Sequence, residues 1–383
     1  MRRTIYGEDH ESFRATLRAF IAAEVTPHYD QWFADGLVPR ELYTKLGELG
    51  IFGIEVPEEY GGAGVTSMKY TVVEAEETAR AGVMFGGSGV HVGLCLPYLL
   101  GLGAPEQLER WMPGFVSGET MYAIAMTEPG TGSDLAGMTT TAKRDGDEYV
   151  LNGAKTFITG GFHADRVIVC ARTSSPEDGD RRRGISLLVV DAASPGYTVG
   201  RKLDKLGMRT SDTAELAFDD VRAPARDLLG EEGMGFAYLG ANLPRERVGI
   251  AAIGCAQAAA ALAFATAYTQ GRTVFGSPVA SYQNTKFELA ACRAEVDAMQ
   301  AVVDQAVEAI DAGELSASDA ASVKLFCTES SSRVVDRCLQ LHGGYGYMQE
   351  YPIARLYADN RVNRIYGGTS EVMKLIIAKS MGL

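Results

Sequence analysis

YAIAMTEPGTGSDLAG, residues 122–137, marks the point where the character of the chain changes. A short β-rich run ends at Ala125. Glycines then follow at 130, 132 and 137, with Thr127, Ser133 and Asp134 among them. A loop of this kind can turn its backbone N–H groups toward an anion such as a pyrophosphate. It is neither GxGxxG nor a Walker A loop, and a glycine turn after a strand is structural more often than not. From about 119 to 226 the runs TTTAKRDG, EYVLNG, KTFIT, RVIVCART, GISLLVVD and TAELAFDDV are separated by Gly, Asp, Pro and Asn. No helical pattern intervenes, which predicts an antiparallel β-domain and not a parallel Rossmann sheet. SSPEDGDRRRG (174–184) reads as a polar hairpin tip whose arginines are solvated.

Helical patterns flank this region. Between residues 8 and 115, HESFRATLRAFIAAEV and PRELYTKLGELGIFG space apolar residues by three and four, with breakers at Pro57, Gly61, Gly62 and Gly64. GGSGVHVGLCLPYLLGLG (86–103) suits a buried helix whose small residues leave room for a ligand or for close helix contacts; core packing is the plainer reading. After about 232, NLPRERVGIAAIGCAQAAAALAFATAYTQ predicts one long helix opened by Pro244 near its first turn. Two further helices each stop at glycine. The expected fold is α+β: an N-terminal helical domain (1–118), a middle antiparallel β-domain (119–228) and a C-terminal four-helix bundle (229–383). A bundle of this kind leaves helix faces to cover, and a homotetramer is expected.

Composition narrows the function. The 383 residues are 46% hydrophobic and 22% charged, a globular profile. A net charge of -13 argues against nucleic acid or an anionic membrane as main partner, while allowing a local basic entrance. Six cysteines are scattered without a CxxC pair, and the five histidines show no metal-ligand spacing. Buried free thiols, no metal and a reducing compartment are the expectation. MRRTIYGEDHESF has two arginines with no apolar segment after them, so neither a secretion signal nor a transit peptide is expected. No uncharged apolar run is read as reaching the ~18 residues of a membrane span. The expected location is the cytoplasm.

Two more segments carry chemistry. QLHGGYGYMQEYPIARLYADNR (340–361) joins a helix end to a turn with Gly343, Gly344 and Gly346, followed by aromatics alternating with charges. RIYGGTSEVMKLI (364–376) is a glycine turn with Thr369 as N-cap of an amphipathic helix. Glu371, in that helix's first turn, has an ordinary reading as a residue favoured by the helix dipole.

Together the three segments resemble the acyl-CoA dehydrogenase family over nearly the whole chain. The first fits T-E-P-G-x-G-S-D. The second fits Q-x-x-G-G-x-G-aromatic-x-x-E, with Arg355 and Asp359 in the expected places. The resemblance implies FAD between the β-domain and the C-terminal bundle, an acyl-CoA substrate, and electron-transfer flavoprotein as acceptor. It assigns Met126 and Thr127 to the flavin ring and Ser133 to the pyrophosphate and the thioester. Phe157, Ile158 and Thr159 would cover the flavin, with Phe157 where many relatives have Trp. Arg272, Phe275 and Gln283 match residues that reach the FAD of a neighbouring subunit. Gln340, Gly343 and Gly344 match adenine-side contacts, and Thr369 with Glu371 the last flavin contacts. Outside the resemblance, each of these residues reads as structural.

The base is the informative departure. Many relatives carry a glutamate within Y-E-G-T, where this chain has Tyr366-Gly367-Gly368-Thr369. The long-chain and isovaleryl-type branch takes its glutamate from the first long helix of the C-terminal domain, and Glu246 in LPRERVGIAA keeps that register. The plain alternative is a helical glutamate paired with Arg245 or another neighbour. The resemblance implies removal of the α-proton by Glu246, hydride transfer from Cβ to flavin N5, and a trans-2-enoyl-CoA product. Gly367 would act through its backbone N–H on the thioester carbonyl, beside Gly368, with Arg247 positioning substrate or balancing charge. Rival readings are a flavin oxidase or monooxygenase on the same fold, a dehydrogenase of acyl carrier protein thioesters, and a CoA-binding scaffold without activity.

Overall fold

The computed structural model describes residues 3–176 and 179–383; residues 177 and 178, within the 174–184 segment that sequence reads as a hairpin tip, lie outside the described residues. The N-terminal helices are α1 (Glu8–Phe20), α2 (Tyr29–Asp35), α3 (Glu41–Glu48), α4 (Lys69–Ala81), α5 (Ser88–Val90), α6 (Leu96–Leu102) and α7 (Pro105–Ser117). A π turn at His91–Cys95 joins α5 and α6 into one run, the apolar segment noted above. Local chemistry explains α7. Pro105 needs no N–H partner at the first position, the Gln107 amide oxygen accepts from Ala104 N at 2.8 Å, and Gly118 ends the helix at φ 73.

The middle region is an eight-stranded sheet of β1 (Tyr122–Ala125), β2 (Thr141–Asp145), β3 (Glu148–Thr159), β4 (Arg166–Arg172), β5 (Ile185–Asp191), β6 (Tyr197–Lys202), β7 (Thr213–Pro224) and β8 (Leu228–Leu229). Its order is β6-β7-β3-β2-β4-β5-β8, with β1 on β4. Most pairs are antiparallel as expected, but β1 runs parallel to β4 and β2 meets β4 in a parallel bridge, so the sheet is mixed. EYVLNG and KTFIT are one strand interrupted by register shifts. Along β4 and β5, alternate residues divide between two cores: Ile168, Cys170, Leu187 and Val189 join the N-terminal helices, while Val167, Val169, Leu188 and Val190 face the core where the sheet curls on β3 and β7.

The C-terminal region holds α8 (Gly235–Gly271), the hairpin β9 (Thr273–Val274) and β10 (Ser277–Pro278), α9 (Gln283–Asp311), α10 (Ala317–Gln340), α11 (Pro352–Asn360) and α12 (Ser370–Ser380). Two expectations about α8 need correction. Pro244 does not open it; the helix starts at Gly235 and carries the proline inside. Leu239 is buried, and Phe236 and Tyr238 pack on the N-terminal core, so tertiary contact holds the turns ahead of the proline. An uncharged run longer than ~18 residues does exist: none of residues 248–271 is charged, and α8 is long and apolar enough to cross a membrane by length and composition. Most of that stretch is buried, against α4, α9 and α10. All six cysteines are buried free thiols.

Candidate active site

The turn between α11 and α12 is built from conformations that side chains disfavour. Gly367 has φ 64 and Gly368 φ 96, so consecutive residues are left-handed, which glycine adopts at low cost. Thr369 then caps α12, its hydroxyl accepting from Val372 N at 3.4 Å. Two buried cations from different helices hold the turn's carbonyls. Arg247 Nε donates to Gly367 O at 3.3 Å, and Lys324 Nζ donates to Gly368 O at 2.6 Å. Among the described residues, neither Gly367 nor Gly368 donates its N–H to another backbone group.

Glu246 meets this turn from α8. Its Oε1 lies 3.5 Å from where a Cβ on Gly367 would stand, so the two positions at which the resemblance implies a glutamate lie side by side. Arg245, the ion-pair partner of the plain alternative, is instead bound to Glu55. Glu246 forms no hydrogen bond or ion pair among the described residues. Burial pushes its carboxyl above the usual carboxylate range, and the Arg247 and Lys324 charges restrain the rise. An unpartnered carboxylate raised by desolvation has the profile of a general base. Arg247 Nε is engaged by the Gly367 carbonyl and its charge acts on Glu246, so the residue holds the turn next to the carboxylate.

On the sheet side, Lys155 and Glu128 form a fully desolvated ion pair at 2.9 Å. Lys155 Nζ also donates to Met126 O at 3.0 Å, and Thr156 N to Thr127 O at 2.9 Å. Met126 and Thr127 are thereby locked beside Phe157, which sits at the β3 register shift with φ 59 and its ring 67% exposed. Ile158 points into the sheet core, leaving only its backbone to face a ligand. Ser133 is exposed in the glycine loop, where Cβ atoms at Gly130 or Gly132 would meet nothing within 4 Å.

The third group lies at the far end of the bundle. Arg272 stacks over Tyr345 at 5.6 Å, and the exposed Gly343 and Gly344 follow Gln340 at the end of α10. Phe275, at φ 48, is 99% exposed, and Gln283 is exposed at the start of α9. No hydrogen bond, ion pair or ring contact among the described residues ties Phe275 or Gln283 to the Glu246 turn. Glu371 is exposed on the first turn of α12.

These features fit FAD. A flat exposed aromatic in a backbone conformation unusual for Phe, an open glycine loop for phosphates and free turn donors are what a flavin dinucleotide would use. Lys324, Lys155 and Ile250 were missed from sequence. Lys324 falls on the buried stripe of α10 with Ala320, Cys327 and Ser331, and Lys155 shares strand parity with the buried Tyr149 and Leu151. A charged residue at a core position of its own element was the available signal.

An unpaired buried carboxylate beside a turn with free N–H donors, with an exposed aromatic and an open glycine loop on the sheet side, suits a flavin-dependent oxidoreductase acting on carbon–carbon single bonds. Sequence comparison agrees and goes further. Profiles of the acyl-CoA dehydrogenase N-terminal, middle and C-terminal domains match residues 7–119, 123–221 and 233–382. The chain belongs to the acyl-CoA dehydrogenase family, FAD-dependent enzymes. It is 41% identical over 379 residues to the mitochondrial long-chain specific acyl-CoA dehydrogenase of Mus musculus, covering 99% of this chain and 88% of that protein. A crystal structure of an acyl-CoA dehydrogenase from Geobacillus kaustophilus superposes with a TM-score of 0.95 at 43% identity, covering 99% of both chains. A prolyl acyl carrier protein oxidase superposes with a TM-score of 0.89 at 26% identity, covering 99% of this chain and 100% of that one.

Proposed function

We propose that this enzyme converts a saturated acyl-CoA to the trans-2-enoyl-CoA with Glu246 as the base. The observation that carries the assignment is the Glu246 carboxylate, unpartnered and desolvated, beside the Gly367–Gly368 turn. A proton α to a thioester is too weakly acidic for a carboxylate in water. Two features of the site lessen the mismatch. The turn offers free backbone N–H donors to the thioester carbonyl, each worth ~2.7–4 kcal/mol in comparable sites. Burial also raises Glu246 toward the working pH, strengthening it as a base. FAD, when bound, accepts the hydride from Cβ.

We assign Met126, Thr127, Ser133, Phe157, Ile158, Thr159, Thr369 and Glu371 to FAD in the same chain, Arg272, Phe275 and Gln283 to the FAD of a neighbouring subunit, and Gln340, Gly343 and Gly344 to adenine-side contacts. Gly367, Gly368 and Ser133 line the thioester, and Arg247 serves substrate binding through the turn. A homotetramer is consistent with the bare Phe275 ring. The buried free thiols support a reducing compartment, which we take as the cytoplasm. Electron-transfer flavoprotein is the proposed acceptor, from the family.

In the decisive experiment, Glu246→Gln keeps FAD and binds acyl-CoA but fails to bleach the flavin on anaerobic mixing. Bleaching at the unaltered rate would refute the assignment. The likeness to an acyl carrier protein oxidase supports a second reading, in which reduced flavin meets O2. Rapid reoxidation of substrate-reduced enzyme in air would favour it.

A further inference from the structure

Lys324 belongs to the buried face of α10 and is 1% exposed. A buried ammonium is costly unless something compensates it. Lys324 forms no ion pair among the described residues; its compensation is the Gly368 carbonyl, 2.6 Å from Nζ. Its Cε also lies 3.6 Å from where a Gly367 Cβ would stand. Arg247 holds the preceding carbonyl from α8, so two helices grip successive peptide units. Peptide planes are rigid, so holding both carbonyls removes the rotational freedom that paired glycines would otherwise give the turn.

We infer that Lys324 is a positioning residue for the reaction: it fixes the Gly367–Gly368 turn against the thioester carbonyl, and its charge helps keep the Glu246 carboxylate ionised. This rests on the reading of Glu246 as base. The groups whose fields reach Glu246 are Arg247 on α8, Lys324 on α10, Tyr98 on α6 and Tyr366 in the turn. Both phenols are pushed up by burial and stay neutral, so the two cations alone oppose the desolvation of the carboxylate. Without Lys324 the Glu246 pKa rises further, and the acid limb of the rate profile moves to higher pH. Lys324 is itself pulled down by burial, to about 8, so its grip on Gly368 weakens as pH rises through that value.

The test uses full-length FAD-loaded enzyme carrying Lys324→Met, Lys324→Gln or Lys324→Arg. Anaerobic flavin bleaching is followed against pH. Calorimetry compares binding of a trans-2-enoyl-CoA with that of an alkyl-CoA thioether, which lacks the thioester carbonyl. Lys324→Met should slow bleaching on the order of 10²-fold, as a misplaced donor does. It should move the acid limb up, and weaken the enoyl thioester while sparing the thioether. Lys324→Arg should restore most of the rate. Lys324→Gln, which can still donate to Gly368, should shift the pH limb with a smaller loss of rate, and it decides the matter if the Met variant does not fold. Equal weakening of both ligands with an unmoved limb would overturn the inference. Glu246→Gln run alongside separates the two claims: full bleaching there refutes the base, whereas a dead Gln variant beside unaffected Lys324 variants refutes only the positioning role.

Discussion

A side chain at position 367 would have to enter a left-handed turn and pass through the volume of the Ile250 Cδ1 methyl. Ile250 therefore decides whether the base can be moved. In a Glu246→Gly background, Gly367→Glu alone should leave bleaching at background. Adding Ile250→Ala should restore a measurable fraction, limited by about 1–3 kcal/mol of backbone strain at the new residue. If the double variant recovers as well as the triple, Ile250 is not the obstacle. Glu246 was legible in sequence only through family register; taken alone it looked like half of a helical ion pair. Arg245 turned out to be bound to Glu55, a partner 190 residues away that no local pattern announces. Lys324 showed in sequence only as a charge on the apolar stripe of α10, and no local pattern ties it or Ile250 to the Gly367 turn.

At the scale of elements, the loop after β1 is held by a buried pair. Burial alone would raise Glu128, but Thr140, Lys155 and Thr139 bring it down to about 2. A depressed carboxylate stabilises the fold above its ordinary pKa near 4.5, and that contribution disappears as pH falls through about 2. Lys155→Met leaves the anion buried without its cation and should cost about 3–5 kcal/mol. Thermal unfolding should show a clearly lower Tm at pH 7, with a gap from the parent that narrows toward pH 2; an unchanged Tm would contradict the pair's importance. Strands with strong alternation and helices with clear stops were readable from residues. β6 was not, because its edge position leaves its side chains half-exposed or polar and blurs the period. The parallel β1–β4 pairing was hidden because pairing partners are a tertiary choice. The start of α8 was misread because a proline normally begins or ends a helix, and here packing of Leu239 outweighs it.

At the scale of the molecule, several large apolar side chains stand exposed on the chain. Phe275 is 99%, Leu206 73% and Leu375 69% exposed. The proposed homotetramer predicts that these side chains meet partner chains. The parent should sediment as four 41.0 kDa chains. Phe275→Asp should yield smaller species that lose FAD on gel filtration. A parent that sediments as one chain with full flavin content would rule this out.

The length of α8 has a consequence for recombining this scaffold. Its 37 residues span about 55 Å at 1.5 Å per residue. Its first turns belong to the N-terminal core, its later turns to the C-terminal core, and Glu246 sits between them. A hybrid spliced at Pro244, where sequence suggests a natural seam, would put the two anchors of that strut under different parents. The workable crossover lies upstream of Gly235, so the carboxylate and both of its footings are inherited as one piece.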